Sequence, residues 1–270
     1  MSPMNKRLHS LFNKARFAVR SRLSFSLGPV RLKAASKEGL FGDPHVRRRE
    51  QEFIERYDFT RWHKRLGAQD YRLNLYVLDL LEACRPHMAS LGIERVRAVD
   101  VGSRTFYYAP ALFHFYRTLA AVERLHGVEF DAYRRYRTGY TAYDYAQAYL
   151  RELGCPAAAY LPMDFLGYRE PFNLCTFFLP FVTEDPLLHW GLPLESFLPY
   201  RLFEHAYHHL ESPGVLIITN KGLEEQAQQH RILDSLQIGY RNLGPFTSPF
   251  YSYDLPRYVT LVIKSGFSTD

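Results

Sequence analysis

Carboxylate side chains follow several short apolar segments of this chain, at positions where they could hold a ligand. Asp100 lies in the segment RVRAVDV. Glu129 and Asp131 lie in GVEFDAY, and Asp164 follows AAAYLPM. A carboxylate at the carboxyl end of a strand can accept hydrogen bonds from both hydroxyls of a ribose. The pattern therefore indicates nucleoside-binding chemistry at the ends of predicted strands.

A glycine turn joins the first of these segments to a predicted helix. Gly102, Ser103 and Arg104 follow the predicted strand, and Ala109-Pro110 begins a helix with apolar residues at helical spacing. Proline suits a first helical position because its missing N–H would be unpaired there in any case. Backbone N–H groups and the helix dipole then face the same point in front of the turn. The sequence therefore predicts a nucleotide-binding corner here.

The rest of the chain is predicted to alternate between strands and helices. Residues 172–182, FNLCTFFLPFV, are continuously apolar, as expected of a central parallel strand that is buried on both faces. Further strands, the last two forming a hairpin, are predicted at 127–130, 157–163, 215–220, 239–250 and 258–264. Helices are predicted at 70–86, 109–122, 133–150, 199–210 and 223–236, and a loop at 183–193.

This order of elements resembles the class I S-adenosylmethionine (SAM) methyltransferases. Motif I of that family is an acidic residue followed by G-x-G-x-G, and Asp100 and Gly102 match the acid and the first glycine. Arg104 and Phe106 stand where the other two glycines would be. The resemblance implies an α/β fold, with a Rossmann-like seven-stranded, mostly parallel sheet, a C-terminal antiparallel hairpin and a helical basic N-terminal extension. It places Asp100, Gly102, Ser103 and Arg104 among the cofactor-binding residues.

The resemblance also implies SAM as the cofactor and gives roles to residues after the next strands. Glu129 is favoured as the acceptor for the ribose hydroxyls, with Asp131 as second choice, and Asp164 is expected to bind the adenine amino group. Arg104 would pair with the methionine carboxylate in a charge-assisted hydrogen bond. In the alternative interpretation, Arg104 and Phe106 fill the pocket, and the sheet no longer binds a cofactor.

The resemblance spans residues 90–266 and implies in-line methyl transfer at the carboxyl edge of the sheet. A small-molecule and a macromolecular acceptor are both open. The alternative is a degenerate methyltransferase fold that acts as a binding or scaffold protein, associated with membrane or RNA through its basic N-terminus. His189 is the candidate general base, against an incidental loop histidine. His205 and His209 have a spacing that metals can use, but no third ligand can be named, so no metal is expected.

The positive charge of the chain is concentrated near its N-terminus. Residues 1–66 contain 16 Lys and Arg against 6 Asp and Glu, whereas residues 67–270 contain 18 against 22. We therefore divide the chain into a basic helical N-terminal extension, 1–66, and a Rossmann-like domain of the methyltransferase type, 67–270. The mildly acidic character of the second part argues against a nucleic-acid groove within it.

The first 33 residues contain eight basic side chains and no acidic one, with apolar residues at helical spacing from Leu8 to Val19. This pattern is typical of a basic amphipathic helix on an anionic membrane, of a targeting segment, or of an arm that packs on the body. Peripheral membrane contact and nucleic-acid contact through residues 1–49 are both open. Three widely separated cysteines favour a reducing compartment, and no apolar run approaches the roughly 18 residues that cross a bilayer. We expect a cytoplasmic protein, either free or peripheral to a membrane.

Overall fold

The computed structural model describes residues 3–89 and 91–265. Seven strands in these ranges form one sheet: β1 (Arg95–Val101), β2 (Ala121–Val128), β3 (Ala158–Leu161), β4 (Phe172–Phe178), β5 (Leu210–Lys221), β6 (Arg241–Phe246) and β7 (Arg257–Lys264). They lie in the order β3-β2-β1-β4-β5-β7-β6. β7 is antiparallel to both of its neighbours, and all other pairs are parallel. The chain adds β2 and β3 on one side of β1 and then crosses to β4 on the other side. The strand order therefore reverses between β1 and β4, where open α/β sheets form a crevice.

The helices of the described ranges are α1 (Pro3–Leu23), α2 (Pro44–Arg56), α3 (Thr60–Arg65), α4 (Ala68–Ala89), α5 (Ala109–Tyr116), α6 (Ala142–Leu153), α7 (Glu184–Trp190), α8 (Pro199–His209) and α9 (Gly222–Ser235). None of these helices is long and apolar enough to cross a membrane.

The sheet has a hydrophobic core on each face, because successive side chains of a strand point to opposite sides. Ala98 of β1 and Leu174 of β4 pack into the core that also contains residues of α4, α5 and α6. Val99 and Cys175, the next residues along, pack into the second core with residues of α8 and α9. The sheet is therefore the middle of three layers.

The segment around α2 and α3 belongs to the first of these cores. Phe53, Tyr57 and Trp62 are almost completely buried and pack with residues of α4 and α5. The indole Nε1 of Trp62 donates a hydrogen bond to Nε2 of His114, at 2.9 Å. Trp62 thus anchors the segment to this core.

Two boundaries next to the candidate site differ from the predictions. The helix predicted over 109–122 ends at Tyr116, and β2 occupies Ala121–Val128 instead of 127–130. The apolar residues of this segment have helical spacing, but residues from Ala121 onward pair with β1 as a parallel strand, beginning with Ala121 opposite Arg95. The pairing overrides the helical spacing. Glu129 consequently lies directly after the strand.

Three other predictions of local structure are wrong. Pro86 does not end α4, which continues to Ala89. The tyrosine-rich part of 133–150 is a loop, and α6 begins only at Ala142, because Thr141 and Asp144 form a capping box there. The predicted loop at 183–193 contains α7, whose C-terminus is capped by Gly191 in the left-handed conformation.

Candidate active site

A cleft of about 560 Å³ lies at the carboxyl edge of the sheet, at the reversal of strand order. Gly102, Glu129 and Asp164, which follow β1, β2 and β3, all line it. Tyr76 of α4 and Trp190 of α7 contribute to its walls. Its volume lies within the range of roughly 300–1,000 Å³ that is usual for small-molecule sites. The structure therefore brings three of the predicted residues together around one space.

Asp100 lies below this cleft and is not among its lining residues. Its buried carboxylate accepts hydrogen bonds from the hydroxyls of Tyr108 (2.8 Å) and Thr176 (2.5 Å). The hydroxyl of Ser103 donates to the main-chain oxygen of Asp100, at 2.7 Å. Burial raises the pKa of Asp100 to about 6. Asp100 therefore joins β1 to β4 and to the start of α5, and Ser103 closes the turn onto the end of β1.

Gly102 supplies the open backbone of the turn. Its φ of +77° is in the left-handed region, which glycine adopts without a steric penalty. The amide N–H donates to the main-chain oxygen of Val128 at 2.9 Å, so the turn is held against the end of β2. A Cβ built on Gly102 would meet no atom within 4 Å. The backbone of the turn thus faces open space in the cleft.

Arg104 and Phe106 replace the two missing glycines in different ways. Both have a φ of +52°, so the turn keeps a left-handed geometry without glycine. The Phe106 ring is buried against Gly127, where an added Cβ would lie 2.9 Å from the ring. Phe106 is therefore part of the core below the cleft and does not fill it. Arg104 is exposed and lines the cleft, with its guanidinium carbon 4.8 Å from the centre of the Trp190 ring.

Glu129 is the buried carboxylate of the cleft. Its Oε2 accepts a hydrogen bond from the backbone N–H of Arg104 (2.7 Å), and its Oε1 accepts one from that of Asp131 (2.8 Å). Burial raises the pKa of Glu129, and the two N–H donors act in the opposite direction. Each carboxylate oxygen can accept more than one hydrogen bond, so Glu129 can hold the turn and still accept a hydrogen bond from a ligand.

Asp131 is the other carboxylate after β2, and it is occupied by the N-terminal helix. Nε and Nη2 of Arg20 donate to its two oxygens at 2.5 and 2.7 Å. The Asp131 side chain is buried and is not among those that line the cleft. Asp131 therefore holds α1 on the body. The structure separates it from Glu129, although the two are only two residues apart.

Asp164 presents an exposed carboxylate at the end of the cleft near β3. One of its oxygens, Oδ1, accepts a hydrogen bond from the N–H of Leu166 at 2.9 Å, which caps the 3₁₀ turn that follows. Phe165, the next residue, is buried and also lines the cleft. A polar group beside an apolar ring suits the edge and face of a planar heterocycle.

Helix α7 carries Trp190, which lies between two arginines. The guanidinium carbons of Arg104 and Arg134 are 4.8 and 4.2 Å from the centre of its ring. The helix itself is supported by α1, because the Asn13 amide donates to the main-chain oxygens of Leu188 and Leu192, both at 3.0 Å. Packing of the N-terminal arm on the body was one of the alternatives open from the sequence, but this particular contact joins residues about 175 positions apart, and no local pattern indicates it.

Polar residues at the end of β5, in α9 and around the start of β7 also line the cleft and were missing from the sequence-based site. Lys221, Glu225 and Arg257 lie there together with Tyr253. The Arg257 guanidinium carbon lies 3.9 Å from the centre of the Tyr253 ring, and burial raises the pKa of Tyr253. Lys221 directly follows the apolar segment 215–220, so its position at a strand end could have been noticed.

The histidines considered from the sequence lie elsewhere. Nδ1 of His189 lies 2.7 Å from the main-chain oxygen of Asp185, and its ring is near that of His9 on α1. Nε2 of His205 lies 2.8 Å from the main-chain oxygen of Tyr168. In the described part of the chain no group of three or more His, Cys, Asp or Glu side chains could hold a metal ion.

Comparisons with known proteins give structural likeness only. The sequence matches no protein-family model and no curated protein sequence. Similar solved structures include a SAM-dependent methyltransferase from Aquifex aeolicus, with 14% identity, 71% of this chain and 93% of that chain covered, and a TM-score of 0.47. An rRNA methylase from Streptococcus thermophilus has 13% identity, 69% and 96% coverage, and a TM-score of 0.45. A putative methyltransferase from Streptococcus mutans, solved in complex with SAH, has 11% identity, 68% and 97% coverage, and a TM-score of 0.43.

At these identities and TM-scores, the fold is better judged from the strand order of the sheet. That order and the antiparallel β7 are those of a seven-stranded Rossmann-like sheet with a C-terminal hairpin. The chain therefore has the α/β fold that its resemblance to the class I SAM methyltransferases implies.

Proposed function

We propose that this protein is a SAM-dependent methyltransferase. The observation that carries the proposal is the cleft at the reversal of strand order, which is lined by Gly102, Glu129 and Asp164 from the ends of three adjacent strands. A nucleoside that spans these strand ends needs a carboxylate for its ribose, a polar group for its base and a bare backbone near its other end. The cleft has all three.

Each end of the cofactor has a candidate partner in the cleft. Glu129 would accept hydrogen bonds from the ribose hydroxyls, and Asp164 one from the adenine amino group, with Phe165 against the ring. The open backbone at Gly102 would lie next to the methionine part, whose carboxylate would pair with Arg104. Charge-assisted hydrogen bonds of this kind are the strong ones in such sites.

The chain would contribute mainly position and electrostatics to methyl transfer. When bound, SAM supplies an electrophilic methyl group on a sulfonium. The walls of the cleft include the apolar side chains of Leu179, Phe181 and Trp190, which would hold an acceptor with an apolar or aromatic face. Fixing an acceptor in line with a bound methyl group removes much of the entropic part of the barrier.

Isothermal titration calorimetry with SAM and with its demethylated product, SAH, tests the cofactor site. We expect both to bind to the full chain in the micromolar range. Glu170, an exposed residue whose only described partner is Arg124, offers a control variant, Glu170→Gln, that should bind both ligands as the wild type does. If the folded protein binds neither ligand at millimolar concentration, the methyltransferase proposal is wrong, and the scaffold interpretation takes its place.

A base-exchange experiment tests the direction in which the nucleoside lies. In Asp164→Asn the side-chain oxygen can still cap the N–H of Leu166, and the amide NH₂ then replaces the oxygen that would face adenine. S-inosylhomocysteine carries a carbonyl oxygen where SAH carries the amino group. We expect the variant to lose about tenfold in affinity for SAH and to gain relative to the wild type for the inosine analogue. An unchanged preference would remove Asp164 from the base subsite.

A further inference from the structure

Helix α1 is attached to the body through its polar side. Nζ of Lys6 lies 2.8 Å from Asp185 and 3.0 Å from Glu184. Asn13 is buried against the carbonyl groups at the end of α7, and Arg20 is bound by Asp131. Helices on the surface of a globular protein ordinarily bury their apolar face instead. In α1, by contrast, carboxylate and carbonyl groups of the body contact the polar face.

Most of the large apolar residues of α1 consequently point to solvent, except Phe17, whose ring packs on that of Phe130 at 4.6 Å. Six of them have between 59% and 78% of their surface exposed: Met4, Leu8, Leu11, Phe12, Val19 and Leu23. Met4, Leu8 and Leu11 are four and three residues apart, and Phe12, Val19 and Leu23 are seven and four apart, with the exposed Ala15 between Leu11 and Val19; they form a stripe along one side of the helix, which we call the outer stripe. The helix has 21 residues and is therefore about 30 Å long. A continuous apolar stripe of this length is unusual on a monomer and marks a surface that binds something.

Every charged side chain that α1 itself contributes is basic. Arg7, Arg16 and Arg22 are exposed, and residues 1–37 contain no Asp or Glu. The carboxylates that pair with α1 in the described residues belong to the body: they bind Lys6 and Arg20 on the inner side of the helix, and Lys14 in an exposed ion pair with Glu195. The outer side of the helix thus combines exposed apolar residues with unopposed arginines.

This combination favours one kind of occupant. A nucleic acid would use the arginines but not a stripe of aliphatic side chains, whereas a lipid surface uses both. Apolar side chains enter the boundary between headgroups and acyl chains, and arginines at the edges of the stripe meet anionic headgroups. We propose that the outer stripe of α1 binds the surface of a bilayer that contains anionic phospholipids, with the helix parallel to the membrane plane.

Co-sedimentation of the full chain with vesicles tests this proposal, and it needs no SAM. One set of vesicles contains phosphatidylcholine alone, and the other contains 30 mol% phosphatidylserine, as a chosen composition. We expect binding to the second set and a marked decrease of that binding at high salt, because screening weakens the arginine contacts. Replacing the stripe residues in Leu8→Gln/Leu11→Gln/Val19→Gln should lower the partition coefficient on the order of 100-fold.

Matched variants separate the outer stripe from general hydrophobicity and charge. Leu223 and Leu255 are exposed apolar residues far along the chain from α1, and Leu223→Gln/Leu255→Gln should bind vesicles as the wild type does. Arg7→Gln/Arg16→Gln/Arg22→Gln should lose on the order of 100-fold on anionic vesicles. The control for this variant is Arg48→Gln/Lys64→Gln/Arg231→Gln, which removes three exposed basic residues outside α1 and should bind anionic vesicles almost as the wild type does.

The outcomes that would overturn the proposal are distinct from a failure of methyl transfer. Absence of vesicle binding by the folded full chain, or equal binding by the stripe variant, contradicts it. So does a stripe variant that converts a dimer into a monomer with vesicle binding unchanged, because a second copy would then cover the stripe. SAM binding, measured on the same samples by calorimetry, should be the same in all of these variants.

Discussion

Replacement of Arg104 tests whether its guanidinium binds the methionine carboxylate of the cofactor at a position where the methyltransferase motif has a glycine. In Arg104→Ala the backbone keeps a Cβ at a φ of +52°, so the strain of the turn stays the same and only the guanidinium is lost. If that group pairs with the methionine carboxylate, the loss is that of one charged hydrogen bond, about 1.5–3 kcal/mol. Because Arg104 is exposed and water competes for it, we expect the lower end, about 1.5 kcal/mol, or tenfold in Kd.

The assay compares two ligands that differ in the amino-acid part. SAH has the carboxylate, and 5′-methylthioadenosine does not. Arg104→Ala should weaken SAH about tenfold and leave methylthioadenosine within about twofold of the wild type. Arg134 is a matched control, since it also stacks on Trp190 but is not among the residues that line the cleft. Arg134→Ala should therefore leave both affinities nearly unchanged.

Two results would refute this account of Arg104. Equal weakening of both ligands would mean that the side chain acts through the shape of the turn, since the carboxylate would then make no difference. Tighter binding of SAH by the variant would mean that the guanidinium obstructs the cleft. Calorimetry at one pH and one salt concentration is sufficient to decide between these results.

Three further predictions concern the residues that support the site. Burial raises the pKa of Asp100 to about 6, so between about pH 4 and 6 the folded state binds a proton that the unfolded chain does not bind. As the pH falls through that window, the unfolding free energy of the wild type, relative to that of Asp100→Asn, should rise by about 2–3 kcal/mol in urea titrations. A difference that does not change with pH would contradict the raised pKa. Gly127→Ala should lower the free energy of unfolding by about 1–3 kcal/mol, because the new Cβ would lie 2.9 Å from the Phe106 ring. Adding Phe106→Leu to the same chain should recover part of that stability. A decrease below about 0.5 kcal/mol would mean that the ring moves away without cost. Asp131→Asn removes the buried partner of Arg20, so amide hydrogen exchange in α1 should become faster on the order of 30-fold, while exchange in β4 stays the same. Unchanged exchange in α1 would show that this ion pair does not hold the helix.

The sequence by itself determined the order of the elements and the kind of fold. Apolar runs, the Gly102 turn, the carboxylates at strand ends and the closing hairpin are local features, and each depends on residues that are neighbours in the chain. The order of such features was enough to indicate the seven-stranded sheet that the structure contains. Boundaries were less certain, as at Val122, because pairing in a sheet can override helical spacing.

Only the tertiary structure decided which of these residues face the cleft. Glu129 lines the cleft and Asp131 does not, because Arg20 of α1, 111 residues away, occupies Asp131. The Phe106 ring does not obstruct the cleft, because Gly127 has no side chain and leaves room for the ring in the core. The direction of the apolar side of α1 was likewise set by carboxylates and carbonyls far along the chain. Local patterns fix how side chains alternate, whereas the choice among distant partners exists only once the chain has folded.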